Sequence, residues 1–303
     1  MKWRRLGHVY SPSGKDSWAL AHAMLPTPFV LSEDVIRVFY AGTNSEMIGS
    51  ISFVDLSAND PTKVLHVHPR PSMERGRDGC FDDNGVLPTF VMRDDKGRLL
   101  LYYVGYQLCH RIRYSLLMGL AISEDNGESF TRHKSVPLLE RIQGEEFFRT
   151  ALWIEPSTMG YRGWYVAGNT FISVNGKQLP CYSVHYLESK TVDGWQGNGK
   201  RVLPAIEPDE HGIGRPSVVK IDGKYHMWFS SRLRESGYEI RHAESTDGLN
   251  WIRTAELGLY PSNEPWENTN VCYSAVITIK NKTYMFYNGN DFGRTGFGVA
   301  ILE

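Results

Sequence analysis

The sequence predicts an all-β chain folded as a five-bladed β-propeller with four antiparallel strands per blade. Three observations carry this reading. An aromatic strand recurs five times at nearly constant spacing, tight hairpin turns stand beside it, and no stretch shows long helical periodicity.

The recurring strand reads Val38-Phe39-Tyr40-Ala41-Gly42, Tyr102-Tyr103-Val104-Gly105, Trp164-Tyr165-Val166-Ala167-Gly168, Met227-Trp228-Phe229-Ser230-Ser231 and Met285-Phe286-Tyr287-Asn288-Gly289. Aligning Tyr40, Tyr103, Val166, Phe229 and Tyr287 gives steps of 63, 63, 63 and 58 residues. Each copy follows an apolar strand and a turn. The clearest is Val218-Val219-Lys220-Ile221-Asp222-Gly223-Lys224-Tyr225, where Asp-Gly between alternating runs signals a two-residue hairpin. A third strand follows each time, at 48–54, 118–123, 182–187, 239–244 and 298–302. A turn and a fourth strand complete the unit. Ser123-Glu124-Asp125-Asn126-Gly127 and Ser245-Thr246-Asp247-Gly248 share Ser-x-Asp and Gly before an aromatic; they resemble the Asp-box turns of sialidases and other propellers, which are structural.

The fifth repeat ends at Glu303 after its third strand, while Trp3-Arg4-Arg5-Leu6-Gly7-His8 resembles a fourth strand such as that starting at Trp251. Residues 2–10 are therefore expected to supply the outer strand of the last blade and close the ring, hiding its edges. The whole chain, 1–303, then reads as one domain, with no linker in view.

Bulk properties narrow the function. Aromatics make up 12% of the chain, including 16 Tyr and 8 Trp, a composition rich in strand formers. A formal net charge of −1 argues against a nucleic-acid partner, which calls for a basic face. No run approaches the apolar length of a membrane span, and no apolar segment follows the basic N-terminus as a signal peptide requires. Cys80, Cys109, Cys181 and Cys272 are dispersed, with no CxxC pair; they read as thiols in a reducing cytoplasm rather than as metal ligands, and no metal or cofactor is expected.

In a propeller, the segments just before the innermost strands converge on one mouth of the central channel. Blade one offers Asp16, Trp18 and His22; blade two Asp82, Asp83 and Asn84; blade three Glu145, Glu146 and Arg149; blade four His211 and Arg215; blade five Trp266, Glu267, Asn268 and Asn270. Carboxylates facing one cavity can divide acid and base roles, and inverting sugar hydrolysis places them about 6.5–9.5 Å apart. Arg grips anionic groups with paired donors, and Trp18 and Trp266 offer faces for a sugar ring. Plainer readings stand beside these. Asp82-Asp83-Asn84-Gly85 also reads as a solvated turn, Glu145 and Glu146 as surface charge, Arg215 as a structural ion-pair partner, and His22 as a buried neutral side chain.

The segments Phe81-Asp82-Asp83-Asn84-Gly85-Val86-Leu87-Pro88, Gly214-Arg215-Pro216-Ser217-Val218 and Tyr287-Asn288-Gly289-Asn290-Asp291-Phe292-Gly293 resemble the furanosidase-type five-bladed propellers. That group spans arabinanases, β-xylosidases, invertases and β-mannoside phosphorylases. The resemblance is nearest to members from bacterial polysaccharide and O-antigen gene clusters, and it covers nearly the whole chain. It implies a carbohydrate-active enzyme cleaving or transferring a glycosidic bond of a surface polysaccharide or its precursor. Asp82 or Asp83 matches a mid-ring acid, and Glu145 or Glu146 the proton donor. His22, Arg149, Arg215, Glu267 and Asn270 would hold the sugar. At blade one, His22 stands where the family often places an Asp, a departure that favours the alternative: a non-catalytic carbohydrate-binding propeller. Phosphorolysis and transfer stay open beside hydrolysis.

Overall fold

The second strand of each repeat explains the architecture. Burial is almost unbroken along Val35–Thr43, Leu99–Leu108, Lys224–Leu233 and Lys282–Asn288. A strand buried on both faces must be covered on both sides by other sheets.

The structure is a computed structural model and describes residues 1–206 and 208–303. It is all-β, with 59% of residues in strands. In chain order these are β1 (Trp3–Tyr10), β2 (Ala21–Val30), β3 (Val35–Thr43), β4 (Gly49–Ser57), β5 (Val64–Val67), β6 (Val86–Arg93), β7 (Leu99–Leu108), β8 (Tyr114–Ser123), β9 (Thr131–Arg132) and β10 (Phe148–Ser157). They continue as β11 (Gly160–Val174), β12 (Lys177–Ser189), β13 (Lys200–Leu203), β14 (Glu210–Ile221), β15 (Lys224–Leu233), β16 (Gly237–Ser245), β17 (Ile252–Leu259), β18 (Cys272–Ile279), β19 (Lys282–Asn288) and β20 (Phe297–Leu302).

Antiparallel pairing groups them as β2 to β5, β6 to β9, β10 to β13, β14 to β17, and β18 to β20 with β1. Short parallel contacts between β8 and β10, and between β12 and β14, fuse the middle three groups into one twelve-stranded sheet. The N-terminal strand pairs with β20, Trp3 opposite Leu302 and His8 opposite Gly298, as the sequence led one to expect. Trp3 also donates its indole N–H to the Leu257 carbonyl at 3.1 Å and packs edge-on against Trp228.

Hydrophobic residues form five clusters, each lying between two neighbouring groups. Phe39 and Phe53 meet Val86 and Leu101; Tyr102 and Met118 meet Leu152 and Tyr165; Trp164 and Val184 meet Ile213 and Phe229; Trp228 and Ile240 meet Met285 and Tyr287. The cycle returns to its start where Phe286 and Val299 meet Val38 and Tyr40. Period-two alternation does the sorting, since Val38 and Tyr40 face one neighbour and Phe39 the other.

The hairpins follow their turn residues. Asp222 and Gly223, at φ 48° and 83°, are both left-handed, as an Asp-Gly turn between β14 and β15 requires. In the Ser-x-Asp turns, Ser123 donates its hydroxyl to Asp125 and accepts the Gly127 amide, each at 2.7 Å. These turns also join groups: Phe39 packs on Phe130, and Trp164 donates to the Gly248 carbonyl at 2.8 Å.

The innermost strands β2, β10, β14 and β18 each carry a bulge. Its left-handed residue is Leu25 (φ 52°), Ala151 (φ 53°), Arg215 (φ 47°) or Tyr273 (φ 56°). Bulges re-aim a side chain out of the ladder. At Leu25 and Arg215 a proline follows, so no ladder amide is left unpaired there.

Candidate functional site

The four bulged residues share a destination: all line one cavity of about 480 Å³. Asn84, Gly85 and Leu87 border it from the start of β6. Thr43, Tyr106 and Arg232 line it from the ends of β3, β7 and β15, and Tyr114, Tyr182 and Tyr238 from the third strands. Arg113, Met47, Leu108 and Phe292 stand at its edge and are more exposed.

The aromatic side is ordered by mutual contact. The Tyr182 and Tyr238 hydroxyls are 3.1 Å apart, Tyr238 packs against Tyr273, and Phe292 stacks on Tyr273 while meeting Tyr238 edge-on. Phe292 and the preceding Asp291 are consecutively left-handed, a conformation that costs about 1–2 kcal/mol per ordinary residue and that clusters at ligand sites. Burial pushes the Tyr238 and Tyr273 hydroxyls far above their ordinary values, so both stay neutral donors.

Arg215 is 3% exposed. It donates to the Tyr273 carbonyl at 3.0 Å and to the Pro26 carbonyl and the Thr27 hydroxyl at 2.8 Å each. Burial lowers its guanidinium to about 9, which still leaves it charged at neutral pH. Arg232 lies over the Tyr238 ring, 5.3 Å from its centre, among Tyr114, Tyr182 and Tyr273. Among the described residues neither arginine pairs with a carboxylate, and the exposed Glu46 is the single acid on the lining.

Of the residues singled out in the sequence, Asn84 and Arg215 reach this cavity. The acids expected to do chemistry sit elsewhere, folded into their own sheets. Asp82 accepts from Arg132 at 2.7 Å and from the Tyr103 hydroxyl at 3.1 Å. Glu145 is ion-paired with Arg149 at 2.7 Å, accepts the Tyr165 hydroxyl at 2.8 Å and lies 3.3 Å from His185. Glu267 pairs with Arg5 at 2.8 Å and accepts the Tyr287 hydroxyl at 2.7 Å. Glu210, whose neighbours in sequence gave no sign of it, is held the same way by Arg253 at 2.7 Å and by Ser231. One device thus repeats in four groups: an acid at the entry to the innermost strand, a hydroxyl from the second strand and a cation behind it. It pins the entry loop to the sheet.

The remaining residues also have structural surroundings. Asp83 accepts the Gly79 amide at 3.0 Å, and Glu146 the Gly144 amide at 2.8 Å, each closing its own loop. Asp16 is exposed, and Trp18 stacks on Tyr40. Trp266 packs between His8 and Tyr287, so neither tryptophan presents a face to the cavity. His22 is buried and bonded to Thr43 at 2.8 Å; His211 contacts the Pro180 carbonyl at 2.7 Å. Asn268 accepts from Asn290 at 2.8 Å, and Asn270 accepts the Tyr238 amide at 2.7 Å, fixing the loop beneath Tyr238.

Tyr106 and Arg232 lie at the ends of the second strands, and Tyr114, Tyr182 and Tyr238 on the third strands, not in the charged segments before the first strands. A signal was present: Thr43, Tyr106 and Arg232 fall at one position of the repeat, three residues beyond Tyr40, Tyr103 and Phe229. For metals, His226, His242 and Glu244 bring donor atoms within 4.8 Å of one another. They stand on β15 and β16 beside Trp228, apart from the cavity lining, and the two rings satisfy each other through a 3.1 Å hydrogen bond. The four cysteines form no disulfide, and no helix is long and apolar enough to cross a membrane among the described residues.

The all-β fold is similar to that of solved glycoside hydrolases. A solved structure described as "Glycoside hydrolase" matches with a TM-score of 0.71 over 98% of this chain and 90% of its own, at 20% identity. A second was reported for the GH130 family of mannoside phosphorylases, which contains glycoside hydrolases that target β-1,2 mannosidic linkages in Candida mannan. It matches with a TM-score of 0.72 over 99% of this chain and 93% of its own, at 14% identity. No known family profile matches the chain. The chain belongs to the same family as the uncharacterized protein Rv1502 of Mycobacterium tuberculosis (strain ATCC 25618 / H37Rv), to which it is 32% identical over 307 residues covering 100% of both proteins.

Proposed function

We propose that this chain is a single-domain, five-bladed propeller that binds a carbohydrate in the bulge-lined cavity and does not cleave it by the two-carboxylate route. The observation that carries the reading is the lining itself: tyrosines, Phe292 and three arginines, Arg113, Arg215 and Arg232, with one exposed acid, Glu46. The cyclic packing of five four-stranded groups supports the blade count. A cavity of about 480 Å³ lies within the range of small-ligand sites, about 300–1,000 Å³, and aromatic faces with a few convergent donors suit a saccharide.

The state of the acids supports the same conclusion. A general acid working near neutral pH needs a raised pKa. Burial alone would raise Glu145, but hydrogen bonds from His185 and Tyr165 and the Arg149 charge outweigh it and hold the carboxyl below its ordinary value. Glu146 is lowered as well, by the Gly144 amide first. Both candidates for the proton donor are thus held ionised. The ligand class we propose is an oligosaccharide or precursor of a bacterial surface polysaccharide, met in the cytoplasm; the resemblance of the Asp82, Arg215 and Asn288 segments to propellers of such gene clusters supports it.

The test is a screen of defined oligosaccharides and aryl glycosides, with and without inorganic phosphate, following thermal stabilisation and product together. Stabilisation without product is the expected result. Bond cleavage that disappears in Asp82→Asn or Glu145→Gln would overturn the proposal and restore the hydrolytic reading.

A further inference from the structure

The cavity is rich in donors and poor in acceptors. Arg215 is buried, its Nε has no hydrogen-bond partner among the described residues, and no carboxylate answers its charge. Arg232, half-buried, is likewise without a carboxylate. The remaining polar groups on the lining are mostly hydroxyls of Tyr106, Tyr114, Tyr182 and Tyr238. Elsewhere this chain meets buried arginines differently: Arg37 is paired with Asp55, and Arg149 with Glu145. A buried cation without a counter-ion is costly to the fold. The unpartnered Nε of buried Arg215 and the Arg232 guanidinium, both on one cavity, form a receptor for an anion with two or more oxygens.

Resting on the reading of the cavity as a carbohydrate site, we infer that its ligand is an acidic saccharide, whose carboxylate or phosphate ester is seated between Arg215 and Arg232. The neutral tyrosine hydroxyls add donors to the same anion or to neighbouring sugar hydroxyls. Phe292, stacked on Tyr273, offers the adjoining apolar face for a ring. A neutral saccharide would reach the same aromatic face and leave both guanidiniums uncompensated. The position of Glu46 on the exposed rim fits this charge pattern, because no acid then stands within the arginine-lined part to repel the ligand.

The experiment is calorimetric titration of the whole protein with matched oligosaccharides: a neutral one, the same backbone carrying a hexuronic acid, and the same carrying a sugar phosphate, with inorganic phosphate alone as a fourth probe. The expected result is at least tenfold tighter binding of one acidic form than of the neutral form, the form preferred identifying carboxylate or phosphate. Arg232→Met should abolish that preference and leave the weak neutral binding in place. Arg232→Gln serves as a second variant, with thermal unfolding to verify the fold of both. Equal affinity for neutral and acidic forms, or a preference that survives both variants, would overturn the inference while the carbohydrate reading stands. Binding of inorganic phosphate with no saccharide bound would instead overturn the carbohydrate reading. No binding of any probe would sink both.

Discussion

Arg215 and Tyr273 occupy corresponding bulges on neighbouring innermost strands, and the Arg215 guanidinium donates to the Tyr273 backbone carbonyl at 3.0 Å. Both residues are left-handed, at φ 47° and 56°, without being glycine. Such strain costs about 1–3 kcal/mol per residue and persists where surrounding structure imposes it. Here both a cation and an aromatic residue line one cavity. Replacing Arg215 with Met relieves an uncompensated buried charge but strands the Pro26 and Tyr273 carbonyls. The two effects oppose each other, so R215M should unfold within about 1 kcal/mol of wild type. Urea denaturation measures this; a loss of several kcal/mol would show Arg215 to be primarily a structural residue.

Glu145 presents the opposite case. Its side chain and that of Arg149 are both almost fully buried, and Tyr165 and His185 complete the enclosure. Removing one charge of such a pair leaves the other buried and unanswered. Glu145→Gln should therefore cost about 3 kcal/mol of stability. Its effect on saccharide affinity should be negligible, because Glu145 is not among the residues that line the cavity.

Acid should weaken the fold through its buried histidines. Burial and the neighbouring His226 hold His242 down to about 3. The unfolded chain takes up this proton near the ordinary value of 6.5, so between those limits it binds more protons than the folded chain. Stability contributed by neutral His242 is thus complete above the ordinary value and is lost as pH falls toward 3. His242→Gln should flatten the decline by up to about 1.4 kcal/mol per pH unit, read from urea midpoints between neutral pH and pH 4. An unchanged slope would contradict the buried, neutral assignment.

Gly127 tests the join between groups. It lies at φ +95°, and a Cβ there would stand 2.5 Å from the Phe39 ring. Both the backbone and the packing oppose a side chain. Gly127→Ala should cost about 2–4 kcal/mol, combining a left-handed penalty with overpacking. A near-neutral effect would mean that the turn and the Phe39 ring move apart easily.

The strand order was legible in the sequence because the aromatic strands repeat and are buried on both faces, leaving no alternative to stacked sheets. Asp222-Gly223 and the pairing of Trp3-Arg4-Arg5 with the last strand were legible for equally local reasons. The site was less so. Asp82, Glu145 and Glu267 each stand just before the first strand of their group, but a sequence does not show that Arg132, Arg149 and Arg5 pair with them. Nor does it show bulges: Leu25, Ala151, Arg215 and Tyr273 share no residue type, and only the backbone conformation unites them. Trp18 and Trp266 were expected at the mouth on chemical type alone, whereas they pack on Tyr40 and Tyr287 within their own sheets.

Recognition is assigned to the arginine- and tyrosine-lined cavity and not to the ion-paired acids Asp82, Glu145 and Glu267. The most direct measurement is a paired calorimetric titration of R232M and E145Q with the best-binding oligosaccharide, both variants first shown to be folded. The expected result is at least a tenfold loss of affinity in R232M and wild-type affinity in E145Q. Full affinity in R232M with loss in E145Q would contradict it and return the site to the acidic loops.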